Sequence, residues 1–160
     1  MSSLDAVIPW GDGDGWTRCA LGHKHWGIYG AAGLLLRHSD PAGSEWVLLQ
    51  HRALWSHHGG TWGVLGGARN SDETAVLAAA REAAEEAGVT SGSYEVVGEH
   101  VDDHGGWSYT TVVGRAPIAF RAPRLTSESL AVEWVDVERM HDLSLHPGFA
   151  ASWETVREIG

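Results

Sequence analysis

The stretch from Ser71 to Ala87, SDETAVLAAAREAAEEA, constrains the fold more than any other part of the chain. Alanine and glutamate favour helix, and Gly88 directly after them suits a helix C-terminus, so the pattern predicts a helix over 71–87. Asn70, with Glu73 three positions on, resembles an N-terminal cap. At about 100° per residue, Val76, Ala79, Ala80, Ala83 and Ala87 fall in one sector, a small-residue face suited to close packing on a sheet. Glu82, Glu85 and Glu86 fall in a different sector about 100° wide. One side of the helix docks and the other presents carboxylates, and removal of Glu86, as an exposed helical residue, is expected to leave the fold intact.

Like charges at this spacing repel by a few tenths of a kcal/mol per pair, roughly, and a divalent cation reverses the sign. A cluster of hard oxygen ligands suits Mg²⁺ or Mn²⁺, and the lack of Cys and His on this face argues against Zn²⁺. Arg81 beside them is placed to pair with Glu85 one turn on or to reach back to Glu73. A Glu-rich helix face taken alone is usually solvated surface, so the spacing of the whole segment has to carry the assignment.

The order of elements around this helix indicates an α+β domain with a mixed sheet. Strand patterns occupy Tyr29 to Arg37 and Glu45 to His51, joined by a turn at Ser39 to Ser44 as an antiparallel hairpin. A short strand follows at Thr61 to Leu65. Beyond the helix, strand patterns cover Tyr94 to His100, Tyr109 to Ala116 and Ala131 to Val135, separated by Gly105-Gly106 and by the turn-prone Ala122 to Ser127. Pro147 opens a closing helix through about Ile159. Residues 1–28, with the Gly/Asp run Gly11 to Gly15, read as a flexible lead-in, and residues 29–160 as the domain proper.

A chain of 160 residues can bury one core without metal or disulfide help, and Cys19 is its only cysteine. The formal net charge of -10 argues against nucleic-acid polymers and anionic membranes as partners, but not against polyphosphates, which cations can bridge to carboxylates. No segment approaches transmembrane length, and the start lacks the basic cluster and apolar run of a secretory signal, so cytoplasmic residence is the expectation.

Gly67, Glu73, Arg81, Glu82, Glu85, Glu86 and Gly88 follow a fixed pattern: Gly, five residues, Glu, seven residues, Arg-Glu, apolar, any, Glu-Glu, any, Gly, apolar. Seven such matches by chance occur in about one window in 10⁹. On these residues, without a gap from Gly67 to Val89, the chain resembles the Nudix hydrolase superfamily in its MutT-like branch. The likeness extends more loosely to Val47 through Arg52 and to Trp62 through Gly67. Leu65 stands where many relatives have Pro, Ala83 where a bulkier aliphatic is usual, and Asn70 where relatives often carry Glu.

The resemblance implies the Nudix fold, a mixed sheet sandwiched between helices, and an enzyme that cleaves a phosphoanhydride bond in a nucleoside diphosphate-linked small molecule. It implies that the Gly66 carbonyl with Glu82, Glu85 and Glu86 binds Mg²⁺, or Mn²⁺, and that Glu73 pairs with Arg81. Gly67, Glu73 and Gly88 would be structural in the motif. Either Glu85 or Glu128 would accept the proton of the attacking water, with Glu133 as an alternative. The leading substrate reading is a nucleoside triphosphate, including oxidised or noncanonical ones, cleaved to a monophosphate and pyrophosphate. ADP-ribose or nucleotide sugars, and a non-catalytic nucleotide-sensing domain, stand as alternatives.

Weaker constellations lie outside the motif. Arg52, His57 and His58 are placed to meet a terminal phosphate, Arg52 foremost. Trp62, Trp107 and Tyr109 are candidates for stacking on a base, although nine tryptophans must also fill core. Cys19, His23 and His25 lack a fourth ligand at metal-binding spacing, and the two histidines would alternate across an extended segment. Asp102-Asp103-His104 reads as a solvated turn.

Overall fold

The computed structural model describes residues 11–123 and 125–160. Met1 to Trp10, the start of the segment read as a lead-in, and Arg124, within the turn expected at Ala122 to Ser127, lie outside the described residues. The central element is β3 (Ala31–Ser39), one residue after another of small or aliphatic type and buried along most of its length. Such a strand needs cover on both faces. Its C-terminal end pairs antiparallel with β4 (Glu45–Arg52) and its N-terminal end pairs antiparallel with β6 (Leu65–Ala68), so two strands share one edge. The other edge pairs in parallel with β8 (Ser108–Arg115), which carries β7 (Glu95–Asp103) as its antiparallel neighbour. β4 in turn pairs antiparallel with β9 (Ser129–Asp136) and, at Gln50 and His51, with β5 (Trp62–Gly63).

Alternation along these strands builds two cores on opposite faces of the seven-stranded sheet. Leu34, Leu36, Leu48 and Val112 pack against Ala78, Ala79, Ala83 and Ala87 of α1 (Ala75–Ala87). Leu35, Val47, Leu49 and Val113 pack against Phe149, Trp153 and Val156 of α2 (Pro147–Val156). This is the expected mixed sheet between helices. The buried guanidinium of Arg37 fastens the second layer: it donates to the carbonyls of Arg157 (2.7 Å) and Ile159 (2.5 Å) past the end of α2 and pairs with Glu45 at 3.1 Å. No helix among the described residues is long and apolar enough to cross a membrane.

The structure differs from the sequence reading in three local features. The helix begins at Ala75 rather than Ser71, capped by Thr74, whose hydroxyl accepts from the Leu77 amide at 3.2 Å. Asn70 and Glu73 do bond each other, the Asn70 amide donating to the Glu73 carboxylate at 2.9 Å, but as a turn before the helix, because Glu73 also answers a distant arginine. The expected strand at Thr61 to Leu65 is two short strands, β5 and β6. The lead-in holds a two-stranded hairpin, β1 (Trp16–Arg18) and β2 (Lys24–Trp26). Its Gly/Asp run is tied to the loop before α1: Asp12 accepts from the Ser71 amide at 2.9 Å and the Gly13 amide donates to Asn70 at 3.3 Å.

Because the two layers are packed separately, Leu35→Ala should lower unfolding stability by about 2–5 kcal/mol in urea denaturation. The same variant should leave divalent-cation affinity on the α1 side unchanged, as measured by calorimetry.

Candidate active site

The site is assembled where β6 runs into α1. Gly67 on β6 lies so close to the helix that a Cβ there would stand 2.6 Å from the Glu82 carboxylate, so any larger residue would displace that carboxylate. At the other end of α1, Gly88 adopts φ 70° and its amide donates to the Ala84 carbonyl, stopping the helix just after Glu86. Loop and helix are then locked by one side chain. The Arg81 guanidinium forks onto Glu73 at 2.7 and 2.9 Å, donates to the Ala68 carbonyl at 2.9 Å, and meets Glu82 at 3.0 Å and Glu85 at 3.4 Å. The Arg81 hydrogen bonds hold the Glu73 carboxyl below its usual range, and Glu73 in return raises the Arg81 pKa further.

The three helix carboxylates do not share one environment. Glu85 is largely exposed, Glu82 is mostly covered, and Glu86 is 6% exposed. The sequence reading of Glu86 as an exposed helical residue is therefore corrected: the α1 end carrying it sits against β4. Its carboxylate accepts from the Gln50 side-chain amide at 3.0 Å, and Gln50, itself buried, donates to Ser129 Oγ at 2.7 Å. Burial pushes the Glu86 carboxyl well above the usual range, and Glu82 and then Glu128 push it further, while Arg52 pulls it down. Burial likewise raises Glu82, which lies within hydrogen-bonding reach of Glu86.

This arrangement fits a divalent cation. Glu82 and Glu86 are crowded and desolvated, while Arg81, which touches Glu82, is shared with Glu73. A hard divalent ion would supply the missing positive charge through oxygen ligands.

The other candidates are distributed around this cluster. Gly66 lies in register with Gly33 of β3, with the Tyr109 hydroxyl against both glycines. Tyr109 is pushed up by burial and by Glu86, which places its hydroxyl in the field of the carboxylates. Glu128 precedes β9; its carbonyl accepts from the Ala53 amide at 2.9 Å, and its charge reaches Glu86. Glu133 is exposed on β9, paired with Leu49. Arg52 ends β4 and donates through Nε to the His57 carbonyl at 3.0 Å. Trp62 is stacked on His51, and Trp107 on His25, with centroids 3.9 Å apart.

Gln50, Ser129 and His146 were missed. Gln50 sits in an aliphatic strand, VLLQHR, where a lone amide was the available signal. His146 caps α2 through Nδ1 and lies 4.7 Å from His58 by ring centroid; burial, with Arg52 and His58, lowers its pKa to about 4. It is neutral at physiological pH.

A profile of the NUDIX domain matches residues 29–158. A Mycobacterium tuberculosis protein named "Putative 8-oxo-dGTP diphosphatase 3" is 51% identical over 156 residues, which cover 92% of this chain and 70% of that protein. A "Nucleoside triphosphate pyrophosphatase/Nudix hydrolase fusion protein" of Bifidobacterium longum is 42% identical over 88% of this chain and 30% of its own length. Among solved structures, a Nudix hydrolase from M. smegmatis, RenU, superposes with a TM-score of 0.84 at 47% identity, covering 91% of this chain and 94% of that one.

The raised Glu86 carboxyl makes a signed prediction. Below the ordinary carboxylate range both folded and unfolded chains hold this proton, so it has no effect on stability. Above that range the unfolded chain releases it readily and the metal-free fold does not, so metal-free stability falls as pH rises. Glu86→Gln in EDTA should therefore be more stable than the parent at pH 8, by about 1–3 kcal/mol, with the gap closing towards pH 4 in thermal denaturation.

Proposed function

The chain belongs to the Nudix hydrolase family, and we propose that it is a Mg²⁺-dependent enzyme converting nucleoside triphosphates, oxidised ones included, to monophosphate and pyrophosphate. The observation that carries this reading is the crowding of Glu82, Glu85 and buried Glu86 on one helix end, with Arg81 committed to Glu73. The diphosphatase name of the 51% identical mycobacterial relative supports a triphosphate over other Nudix substrates.

Glu82, Glu85, Glu86 and the Gly66 carbonyl would hold the metal, Mg²⁺ or Mn²⁺. When bound, the metal supplies charge neutralisation at the phosphates and acidifies water. The chain's own residues do the rest. Arg81 and Glu73 fix the helix against the loop, so that the carboxylates are in place before substrate arrives. Gln50 and Ser129 orient the Glu86 carboxylate. Arg52, at the strand end beside the cluster, meets the phosphate charge, while Trp107 and Tyr109 line the approach. Water oxygen bonds to phosphorus, the bridging P–O bond breaks, and the leaving phosphate takes the electron pair. The water proton passes to Glu85 or Glu128.

Pyrophosphate release should be measured with Mg²⁺ and with EDTA over normal and oxidised nucleoside triphosphates, dinucleotides, ADP-ribose and nucleotide sugars. Triphosphates should turn over only with Mg²⁺; turnover confined to ADP-ribose or nucleotide sugars, or persisting in EDTA, refutes the proposal. Glu86→Gln and Arg81→Lys should each reduce kcat/KM by at least about tenfold to a hundredfold. Of Glu85→Gln and Glu128→Gln, the one that removes the acidic limb of the kcat/KM pH profile identifies the base.

A further inference from the structure

A second cluster of ligating side chains lies apart from α1. The sequence reading set aside Cys19, His23 and His25 for want of a further ligand at credible spacing. The fold supplies one from the β7–β8 turn: one ligand atom each of Cys19, His25 and His104 lie within 4.8 Å of one another. Cys19 is a buried free thiol, whereas His23 stays exposed. Two further observations point to a ligand. The His25 Nε2 is buried with no hydrogen-bond partner among the described residues, although its ring is held between Trp107, stacked at 3.9 Å, and His104, edge-on at 4.9 Å. A buried ring nitrogen left unpaired in an otherwise ordered aromatic nest calls for an atom to bond. The His104 Nε2 is engaged with Asp102 Oδ2 at 3.0 Å, which leaves its Nδ1 as the outward ligand and reproduces the carboxylate-to-histidine support common behind metal-bound imidazoles.

We propose that Cys19, His25 and His104 form a transition-metal site of the class that takes Zn²⁺, fastening the N-terminal hairpin to the β7–β8 turn. One thiolate and two imidazoles are soft and borderline donors, and they select Zn²⁺ over the Mg²⁺ of the oxygen-only cluster on α1. Tetrahedral Zn–N and Zn–S bonds need ligand separations of about 3.3–3.6 Å, so closure requires a contraction of roughly one ångström in two turns. The turns are already bonded to each other, the Ala20 amide donating to the Gly105 carbonyl at 2.7 Å. With Asp102 occupied behind His104, the fourth position belongs to water.

The site has a structural purpose that can be stated from the topology. A three-residue by three-residue hairpin is marginal alone, and β1–β2 forms a separate sheet from the main one. Trp16 of that hairpin stands 6.5 Å by ring centroid from His57, in the loop beyond Arg52. Holding the hairpin to the β7–β8 turn therefore also holds Trp16 beside His57.

The test is a Co²⁺ titration of the metal-stripped, reduced full chain in excess Mg²⁺. One equivalent should give the intense visible bands of tetrahedral Co²⁺ and a near-ultraviolet thiolate-to-metal charge-transfer band. Cys19→Ser and His104→Ala should abolish that band, Glu86→Gln should retain it, and Asp102→Asn should weaken affinity about tenfold to a hundredfold. Zn²⁺ should raise the melting temperature of the parent but not of His104→Ala, a turn variant that keeps the thiol and the hairpin sequence. A weak six-coordinate spectrum without a thiolate band overturns the proposal, as does a thiolate band that survives both His25→Ala and His104→Ala.

Discussion

Arg81 makes a fork onto Glu73, reaches the Ala68 carbonyl and touches Glu82 and Glu85, so one side chain joins β6, the following loop and two turns of α1. Most of the site's geometry depends on this guanidinium. It fixes the loop and helix relative to each other, and among the described residues no cation pairs directly with the buried Glu86. A lysine, a point charge with no fork, could not hold these partners in one plane. The fold thus carries carboxylates whose mutual repulsion and desolvation favour a divalent ion, a strain that a hydrolase of phosphoanhydrides can use.

The sheet makes that arrangement possible by letting strands share edges. β4 leaves β3 beyond Val47 and pairs along its length with β9, while β6 takes the other end of β3's edge. This divergence brings Gln50 and Ser129, from β4 and β9, under the end of α1, and it sets Arg52 and Glu128 beside Glu86. Small residues finish the approach: Ala79, Ala83 and Ala87 let the helix lie close on the sheet, and Gly67 leaves room for the Glu82 carboxylate. The α1 carboxylates are therefore positioned by packing on three elements and not by the helix alone.

Histidines and tryptophans from distant segments gather into two aromatic groups. His57, His58 and His146 form one group, and His25, His104 and Trp107 another. Burial keeps His146 neutral, so this ring serves as a helix cap and packing surface more than as a fixed charge.

The sequence by itself determined the elements whose signal is local. The 3.6-residue spacing of α1 made its alanine face and its glutamate group legible, Gly88 marked its end, and the order of strand and helix patterns indicated an α+β domain with a mixed sheet. The Gly67 to Val89 spacing identified the family. The helix start was misplaced by four residues because Thr74, and not Asn70, caps it, while the Asn70–Glu73 bond closes a turn before the helix. Only the tertiary structure decided that Glu86 is buried rather than exposed, because helical periodicity assigns a face but not what another strand brings against it. For the same reason the sequence could not join His104 to Cys19 and His25. Ligand spacing is readable when one element carries the set, and it is invisible when two turns far apart in the chain are brought together by strand pairing.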